Sequence, residues 1–402
     1  MSWRAISGGV TAPTGFQASA TSCGIKVKGR RDLALIVSDR PALVAGMLTT
    51  NRLAAAPVHL CRTILQHGQA QAIIANSGNA NACTGIQGQL DAETMAVATA
   101  RALQVKPGYV LVASTGVIGR PMPMRRILAG IPEIAATLSP QGSRAAAEAI
   151  MTTDLTPKEA AVECSIDGKR IRIGGIAKGS GMINPAMATM FAFLATDAAI
   201  TPVALRQGLR QAVESSFNAI TVDGDMSTND TVLLLANGAA GNRLVQPGKA
   251  SFTTFTKALT VVCETLARAI VRDGEGASRF IAVDVRGAAS IRDAQRAART
   301  IANSPLVKTM VAGRDPNWGR VAAAVGASRV RLDPHRLTIA LGGITVFQHA
   351  QLRKVNPLHL KRAFGQPEIS ILVHLGAGAS KARVWTCDLT EAYVRINAKY
   401  TT

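Results

Sequence analysis

The stretch Lys178-Gly179-Ser180-Gly181-Met182-Ile183-Asn184-Pro185-Ala186-Met187-Ala188-Thr189-Met190 leads from a glycine-rich turn to a threonine preceded by a small residue. The apolar run Phe191-Ala192-Phe193-Leu194 follows directly. It reads as a self-cleavage site at the head of a buried strand. If the Ala188–Thr189 bond breaks, Thr189 gains a free α-amine beside its own hydroxyl, so that one residue supplies both nucleophile and general base. An α-amine has an unperturbed pKa of about 7.7–8.0, which leaves much of it unprotonated near neutral pH and able to take the hydroxyl proton. Read locally, the same residues also fit an ordinary buried strand. The rest of the chain has to decide.

Outward from this stretch, elements of both kinds alternate. Residues 33–38, 72–76 and 109–114 read as short buried strands that end in turn-forming residues. A helix is expected over Asp91–Val105, with acidic residues in its first turn. Residues 164–173 alternate around Asp167-Gly168, a strong hairpin signal, and deliver the chain to Lys178. Beyond Thr189 the apolar runs to Thr196 and over 231–236 look like core strands, with a helix across Ala204–Ser216 between them and a long amphipathic helix over Phe255–Arg272 after them. That helix should stop near Asp273-Gly274. Strands near 280–285, 337–347, 369–375 and 383–388 and a helix near 293–301 complete the pattern. The expected fold class is α+β in sandwich-like α/β layers, with boundaries near 175–190 and 285–305.

Further motifs stand in order along the chain: Asn76-Ser77-Gly78-Asn79-Ala80-Asn81-Ala82-Cys83-Thr84-Gly85, Ser114-Thr115-Gly116-Val117-Ile118-Gly119, Met151-Thr152-Thr153-Asp154, Asp223-Gly224-Asp225-Met226-Ser227-Thr228-Asn229-Asp230, Asp273-Gly274-Glu275-Gly276-Ala277, Asn303-Ser304-Pro305-Leu306-Val307-Lys308-Thr309, Asp315-Pro316-Asn317-Trp318-Gly319-Arg320, and the terminus from Tyr393 to Thr402. Together with the scissile stretch, this series resembles the ornithine acetyltransferases, or glutamate N-acetyltransferases, of arginine biosynthesis. The resemblance covers essentially the whole chain. It implies an N-terminal-nucleophile-type acyltransferase whose α and β chains arise from one precursor: residues 1–188 as the α chain, 189–285 as the first part of the β chain with the nucleophile, and 286–402 as its C-terminal α+β domain.

The resemblance also assigns roles. Thr189 is the nucleophile, and the Thr115 hydroxyl with the Gly116 N–H forms the oxyanion hole, since acyl transfer needs donors aimed at the oxygen that turns negative. Thr152, Lys178, Thr189, Glu275, Asn397 and Thr402 fall on substrate-binding positions, with Thr153 an alternative to Thr152. A cation at Lys178 suits a substrate carboxylate and favours the neutral amine of Thr189, and a carboxylate at Glu275 suits the ornithine ammonium. The implied reaction is ping-pong acetyl transfer from N-acetylornithine to glutamate through an acetyl-Thr189 ester. It needs no cofactor. Some family members also accept acetyl-CoA as donor, and the sequence leaves both cases open. The chains are expected to assemble as a heterotetramer of two α and two β. Two positions depart from the family pattern, Ala186 for Asn and Met226 for Thr; neither is a nucleophile, acid or oxyanion donor. The competing readings are a self-processed aminopeptidase or amidohydrolase, in which water replaces glutamate, and a basic binding protein without catalysis.

Composition narrows the field. A 402-residue chain that is 48% hydrophobic can bury more than one core. No apolar run approaches the roughly 18–20 residues of a membrane span, and the N-terminus lacks the layout of a secretory signal, so a cytoplasmic protein is expected. The six cysteines show no Cys-x-x-Cys spacing and read as free thiols, mostly buried; the six histidines show no metal-ligand spacing. The net charge of +20 is spread evenly, with 19 basic against 10 acidic residues in 1–188 and 26 against 15 in 189–402. Only 15 residues are aromatic, too few for the stacking that single-strand recognition uses. That points to a generally basic surface, without nucleic acid or membrane as partner; small-molecule substrates are what the resemblance implies.

Overall fold

A computed structural model describes residues 3–26, 29–184 and 190–399. The chain divides into two compact units, one of Met1–Asn218 with Asp225–Ile270, the other of Ala219–Gly224 with Val271–Thr401. This division follows packing, whereas the 188/189 boundary expected from the sequence is one of covalent chain. The α+β class expected from the sequence is what the units are built from.

The first unit carries β1 (Trp3–Ile6), β2 (Phe16–Thr21), β3 (Leu33–Leu48), β4 (Gln69–Asn79), β5 (Val110–Val117), β6 (Lys158–Ile166), β7 (Lys169–Lys178), β8 (Phe191–Thr196) and β9 (Thr231–Ala236), together with helices α1 (Ala56–His67), α2 (Gly85–Leu103), α3 (Met124–Ala136), α4 (Ser143–Ala149), α5 (Pro202–Ser215) and α6 (Ala250–Arg272), whose last residues pass into the second unit. Its nine strands form one mixed sheet in the order β1-β6-β7-β8-β9-β3-β4-β5, with β2 paired to β3. Alternate residues point to opposite faces of a strand, and both faces here are covered. Leu33 and Leu35 of β3 pack with Ile74, Val112, Met95, Ile127 and Ile131; Ala34 and Ile36 pack with Ile73, Leu111, Phe191, Phe193, Leu233 and Leu235. Every residue of β8 and β9 is accordingly buried. The β6–β7 hairpin turns at Asp167 and Gly168, whose φ values of 49° and 76° are those of a type I′ turn, the form that matches strand twist.

The second unit holds β10 (Phe280–Ala288), α7 (Ile291–Ala302), α8 (Pro305–Ala312), α9 (Trp318–Ala327), β11 (Thr338–Leu341), β12 (Ile344–Gln348), β13 (Gln351–Leu352), α10 (Pro357–Phe364), β14 (Glu368–His374), β15 (Ser380–Cys387) and α11 (Glu391–Lys399). Its sheet runs β13-β12-β11-β14-β10-β15. Ile281, Val283 and Val285 face Ala294, Ala297, Ala298 and Ile301, giving this unit a core of its own.

The helix expected over Asp91–Val105 differs in its start. It begins six residues earlier, at Gly85, with no acid in its first turn. Asp91 instead lies mid-helix, where it is buried and accepts a bond of 2.9 Å from Gln87 Nε2.

Candidate active site

The strand ends set the site. Thr115 and Gly116 lie near the end of β5, which runs parallel to β4 with Ser77 opposite Thr115 and Gly78 opposite Gly116. Gly116 has φ 131°, and a Cβ there would lie 2.4 Å from the Gly78 carbonyl carbon, so only glycine allows the two backbones to approach this closely. The carbonyl of Ser114 and that of Ala80 both accept from Asn229 Nδ2, at 2.7 and 2.6 Å, while Ser114 Oγ donates to Asn76 Oδ1 at 2.6 Å. These bonds hold the residues flanking the β4 and β5 termini from a third segment far away in sequence.

Lys178 closes β7 with a side chain that is 2% exposed. Its Nζ donates to Thr152 Oγ1 at 2.8 Å and approaches Thr115 Oγ1 at 3.5 Å. The structure therefore brings Thr115, Thr152 and Lys178 together, and it separates Thr152 from Thr153, whose hydroxyl pairs with Ser180 Oγ at 2.7 Å.

A buried cation needs compensation, and Asp154 stands beside this one. Its Oδ1 accepts from Gly179 N and from Lys158 Nζ, both at 2.7 Å, and its Oδ2 accepts from Thr152 N at 3.0 Å. Burial by itself would raise the pKa of Asp154, but the charges of Lys178 and Lys158 and the bonds from Lys158 Nζ and Gly179 N outweigh it and hold the carboxyl at about 2. One carboxylate thus ties the backbone of Thr152 to the residue after Lys178. The same turn is held from the other side by Lys26 Nζ, which donates to Met151 O at 2.6 Å and Ala149 O at 3.2 Å. Burial, together with the nearby charge of Arg30, brings the pKa of Lys26 down to about 8.

Met190, the first described residue after the scissile stretch, is held from β9's approach: its N–H donates to Asp230 Oδ1 at 2.9 Å and its carbonyl accepts from Thr231 N at 3.1 Å. Ala188 and Thr189 themselves, Ala186 and the terminal Thr402 lie outside the described residues. Met226, the other departure, touches Thr50 Oγ1 through its sulfur at 3.9 Å, and its carbonyl accepts from Asn51 Nδ2.

Glu275 and Asn397 belong to the second unit and are brought together there. Asn397 Nδ2 donates to Glu275 Oε2 at 2.8 Å and to Tyr393 O at 3.1 Å, so the terminal helix α11 is fastened to the Glu275 turn. Gly276, with φ 68°, lies so close to α11 that a Cβ would come within 2.4 Å of Tyr393 N.

The sequence motifs contain Asp154, Asn229 and Asp230 without pointing to a task for any of them, and Lys26 and Lys158 lie outside those motifs altogether. The available signal was chemistry at strand ends: Lys158 opens β6 and Asn229 and Asp230 lead into β9, while Lys26 and Asp154 lie in connecting segments with no such signal. Among the described residues no group of three or more His, Cys, Asp or Glu side chains is placed to hold a metal ion, and no helix is long and apolar enough to cross a membrane. All six cysteines are free thiols, four of them buried. A cavity of about 640 Å³ lined by Trp3, Cys164, Phe252, Lys257 and Val261 shares no residue with the cluster around Lys178.

With this geometry in hand, the comparison with known proteins is decisive: the profile of the ArgJ family matches residues 17–402. The chain belongs to the ArgJ family. Curated relatives include the arginine biosynthesis bifunctional protein ArgJ of Symbiobacterium thermophilum, 50% identical with all of both chains covered, and that of Thermosynechococcus vestitus, 49% identical over all of this chain and 99% of the relative. Among solved structures, an ArgJ chain from Bacillus halodurans aligns with a TM-score of 0.50 at 39% identity, covering 98% of that chain and 52% of this one.

Proposed function

We propose that this protein is the glutamate N-acetyltransferase of arginine biosynthesis that uses N2-acetyl-L-ornithine as donor, working in the cytoplasm as a self-cleaved enzyme with Thr189 as nucleophile. The observation that carries the reading is the convergence of Thr115, Thr152 and Lys178 at the ends of β5 and β7 in a chain of the ArgJ family, with Met190 fastened to Asp230 beside them. Relatives matched over their whole length are named for arginine biosynthesis. A solved ArgJ chain about half as long as this one supports cleavage near the middle.

In this reading the Ala188–Thr189 bond breaks first. The Thr189 amine then takes the hydroxyl proton, and the oxygen attacks the acetyl carbonyl while Thr115 Oγ and Gly116 N–H donate to the developing oxyanion. Ornithine leaves with the proton, and glutamate takes the acetyl group from the Thr189 ester. Lys178 and Thr152 take the substrate carboxylate; substrate-binding roles for Glu275, Asn397 and Thr402 rest on the positions of the family's motifs alone. No cofactor enters this cycle, and the processed α and β chains assemble as a heterotetramer. Acetyl-CoA stands as an alternative acetyl donor; the relatives are described as bifunctional.

The test is a denaturing gel with intact mass and N-terminal sequencing of purified protein. Two chains are expected, the second beginning at Thr189, and Thr189→Ala should remain one inactive chain. Wild-type protein that is uncut yet fully active would sink the mechanism. Incubating the processed enzyme with acetylornithine, with and without glutamate, then separates transfer from hydrolysis.

A further inference from the structure

The two amino acids of the proposed reaction differ at one end. Acetylornithine and glutamate both carry an α-carboxylate, and the acetyl group leaves one α-nitrogen for the other. Ornithine then ends in an ammonium and glutamate in a second carboxylate. A site that welcomes the ammonium repels a carboxylate, so the acceptor needs a cation that the donor does not use. Lys26 has the position and the free bonding capacity for that task.

Lys26 is half-buried and belongs to the first unit, as do Thr152 and Lys178. Its Nζ donates to Met151 O at 2.6 Å and to Ala149 O at 3.2 Å, which leaves one of an ammonium's three donors unused. No carboxylate among the described residues is paired with it. The two carboxylates whose charge acts on it are engaged elsewhere: Asp32 accepts from the backbone N–H groups of Cys23, Ile25 and Lys26, and Asp154 from Thr152 N, Gly179 N and Lys158 Nζ. Lys26 also borders a cavity of about 360 Å³ with Arg30, Arg31, Glu148 and Met151. Glu148 is already paired there, with Arg31 at 2.5 Å and with Arg144 at 3.4 Å. Burial, with the charges of Arg30 and Lys178, brings the Lys26 pKa down to about 8 in spite of Asp32 and Asp154. An anion is the partner this ammonium lacks.

The spacing suits a dicarboxylate. Lys26 Nζ contacts the carbonyl of Met151 and Lys178 Nζ the hydroxyl of Thr152 at 2.8 Å, so the two ammonium groups flank consecutive residues. Consecutive Cα atoms lie about 3.8 Å apart, and the two carboxyl carbons of extended glutamate about 5 Å apart. With each carboxylate about 2.8 Å from its ammonium, glutamate can span from one lysine to the other. We propose that Lys26 is a specificity-determining residue that takes the side-chain carboxylate of glutamate, while Lys178 and Thr152 take its α-carboxylate. The inference rests on the proposed acetyl transfer and adds to it a residue that tells the acceptor from the donor.

Acceptor preference tests it, with glutamine as the acceptor that keeps the shape of glutamate and loses the charge. Lys26→Gln retains an N–H donor for the carbonyls of the 149–151 turn but no cation. With acetylornithine as donor and processed protein, the ratio of kcat/KM for glutamate to that for glutamine should fall about 10–100-fold, the worth of one charge-assisted hydrogen bond. Lys26→Arg keeps the charge and should keep most of the preference. A role confined to holding the turn would lower both acceptors alike; an unchanged ratio in Lys26→Gln therefore overturns the proposal. Wild type gives a measurement that depends on no variant: glutamate should be used at least about tenfold better than glutamine, and equal use of the two also overturns it. A Lys26→Gln chain that stays uncut would assign Lys26 to the fold of the turn and end its role in specificity. Wild type that moves acetyl from acetylornithine to no amino acid would remove the proposed function and this inference together, whereas transfer with an unaltered preference in the variant removes the inference alone.

Discussion

Thr115 shows how one hydroxyl can serve two neighbours. Lys178 Nζ is a donor only, so at 3.5 Å it uses the oxygen of Thr115 and leaves the hydroxyl hydrogen able to donate to the oxyanion of the proposed mechanism. Thr115→Ala should therefore lower kcat by roughly 10²–10³-fold, the usual cost of one oxyanion donor, with less effect on KM, and Thr115→Ser should recover most of it. Steady-state kinetics on processed protein checks this; parity of the alanine variant with wild type would make Thr115 structural. Glu275 is half-buried and carries the Asn397 amide on Oε2. Glu275→Gln retains an acceptor for that amide and removes only the charge. It should reduce kcat/KM for acetylornithine by about 10–100-fold, below the cost of breaking a fully buried ion pair, and leave self-cleavage intact. An unchanged kcat/KM would place Glu275 outside the substrate site.

Asp154 acts on whole segments, joining the turn at 151–157 to the end of β7 through Thr152 N, Gly179 N and Lys158 Nζ. Its carboxyl is lowered from 3.8 to about 2 on folding. A group depressed in the folded state stabilises fully above its unfolded pKa and loses that contribution as pH falls through the folded one, so the stability from Asp154, about 2 kcal/mol, disappears between pH of about 4 and 2. Melting temperatures across that interval should drop in wild type, and the drop should be shallower in Asp154→Asn; identical slopes would assign acid lability to other carboxylates. The β4–β5 contact offers a second test. Gly116→Ala forces a Cβ to within 2.4 Å of Gly78 in a backbone region that side chains avoid, and should destabilise the fold by about 1–3 kcal/mol while disturbing the oxyanion donor. A denaturant midpoint and activity both at wild-type values would contradict it.

The larger sheet joins what cleavage would divide. β8 and β9 follow residue 189 in the chain, yet they sit between β7 and β3, which precede it. β8 pairs over six residues with β7, and β9 over six with β3. The two cut chains should therefore co-elute under native conditions and separate only in denaturant; separation by size exclusion in plain buffer would contradict this strand order. Much of the pattern is legible in the sequence. Alternation and apolar runs identify β3, β4, β5, the β6–β7 hairpin, β8 and β9, because pleat and burial are written in neighbouring residues. Helix α3, with Pro132 inside it, and the true start of α2 are not legible in this way, because a proline or a glycine at Gly85 argues locally against helix while packing decides otherwise. The order of motifs along the chain also picks out Thr115, Thr152, Lys178, Glu275 and Asn397. Asp154, Lys158, Asn229 and Asp230 acquire their tasks only in three dimensions. Asn229 reaches a carbonyl 115 residues away and Asp230 an amide 40 residues away, and no local rule of propensity or periodicity encodes such pairings. They follow from which strands lie side by side, a choice made by burying both faces of one sheet.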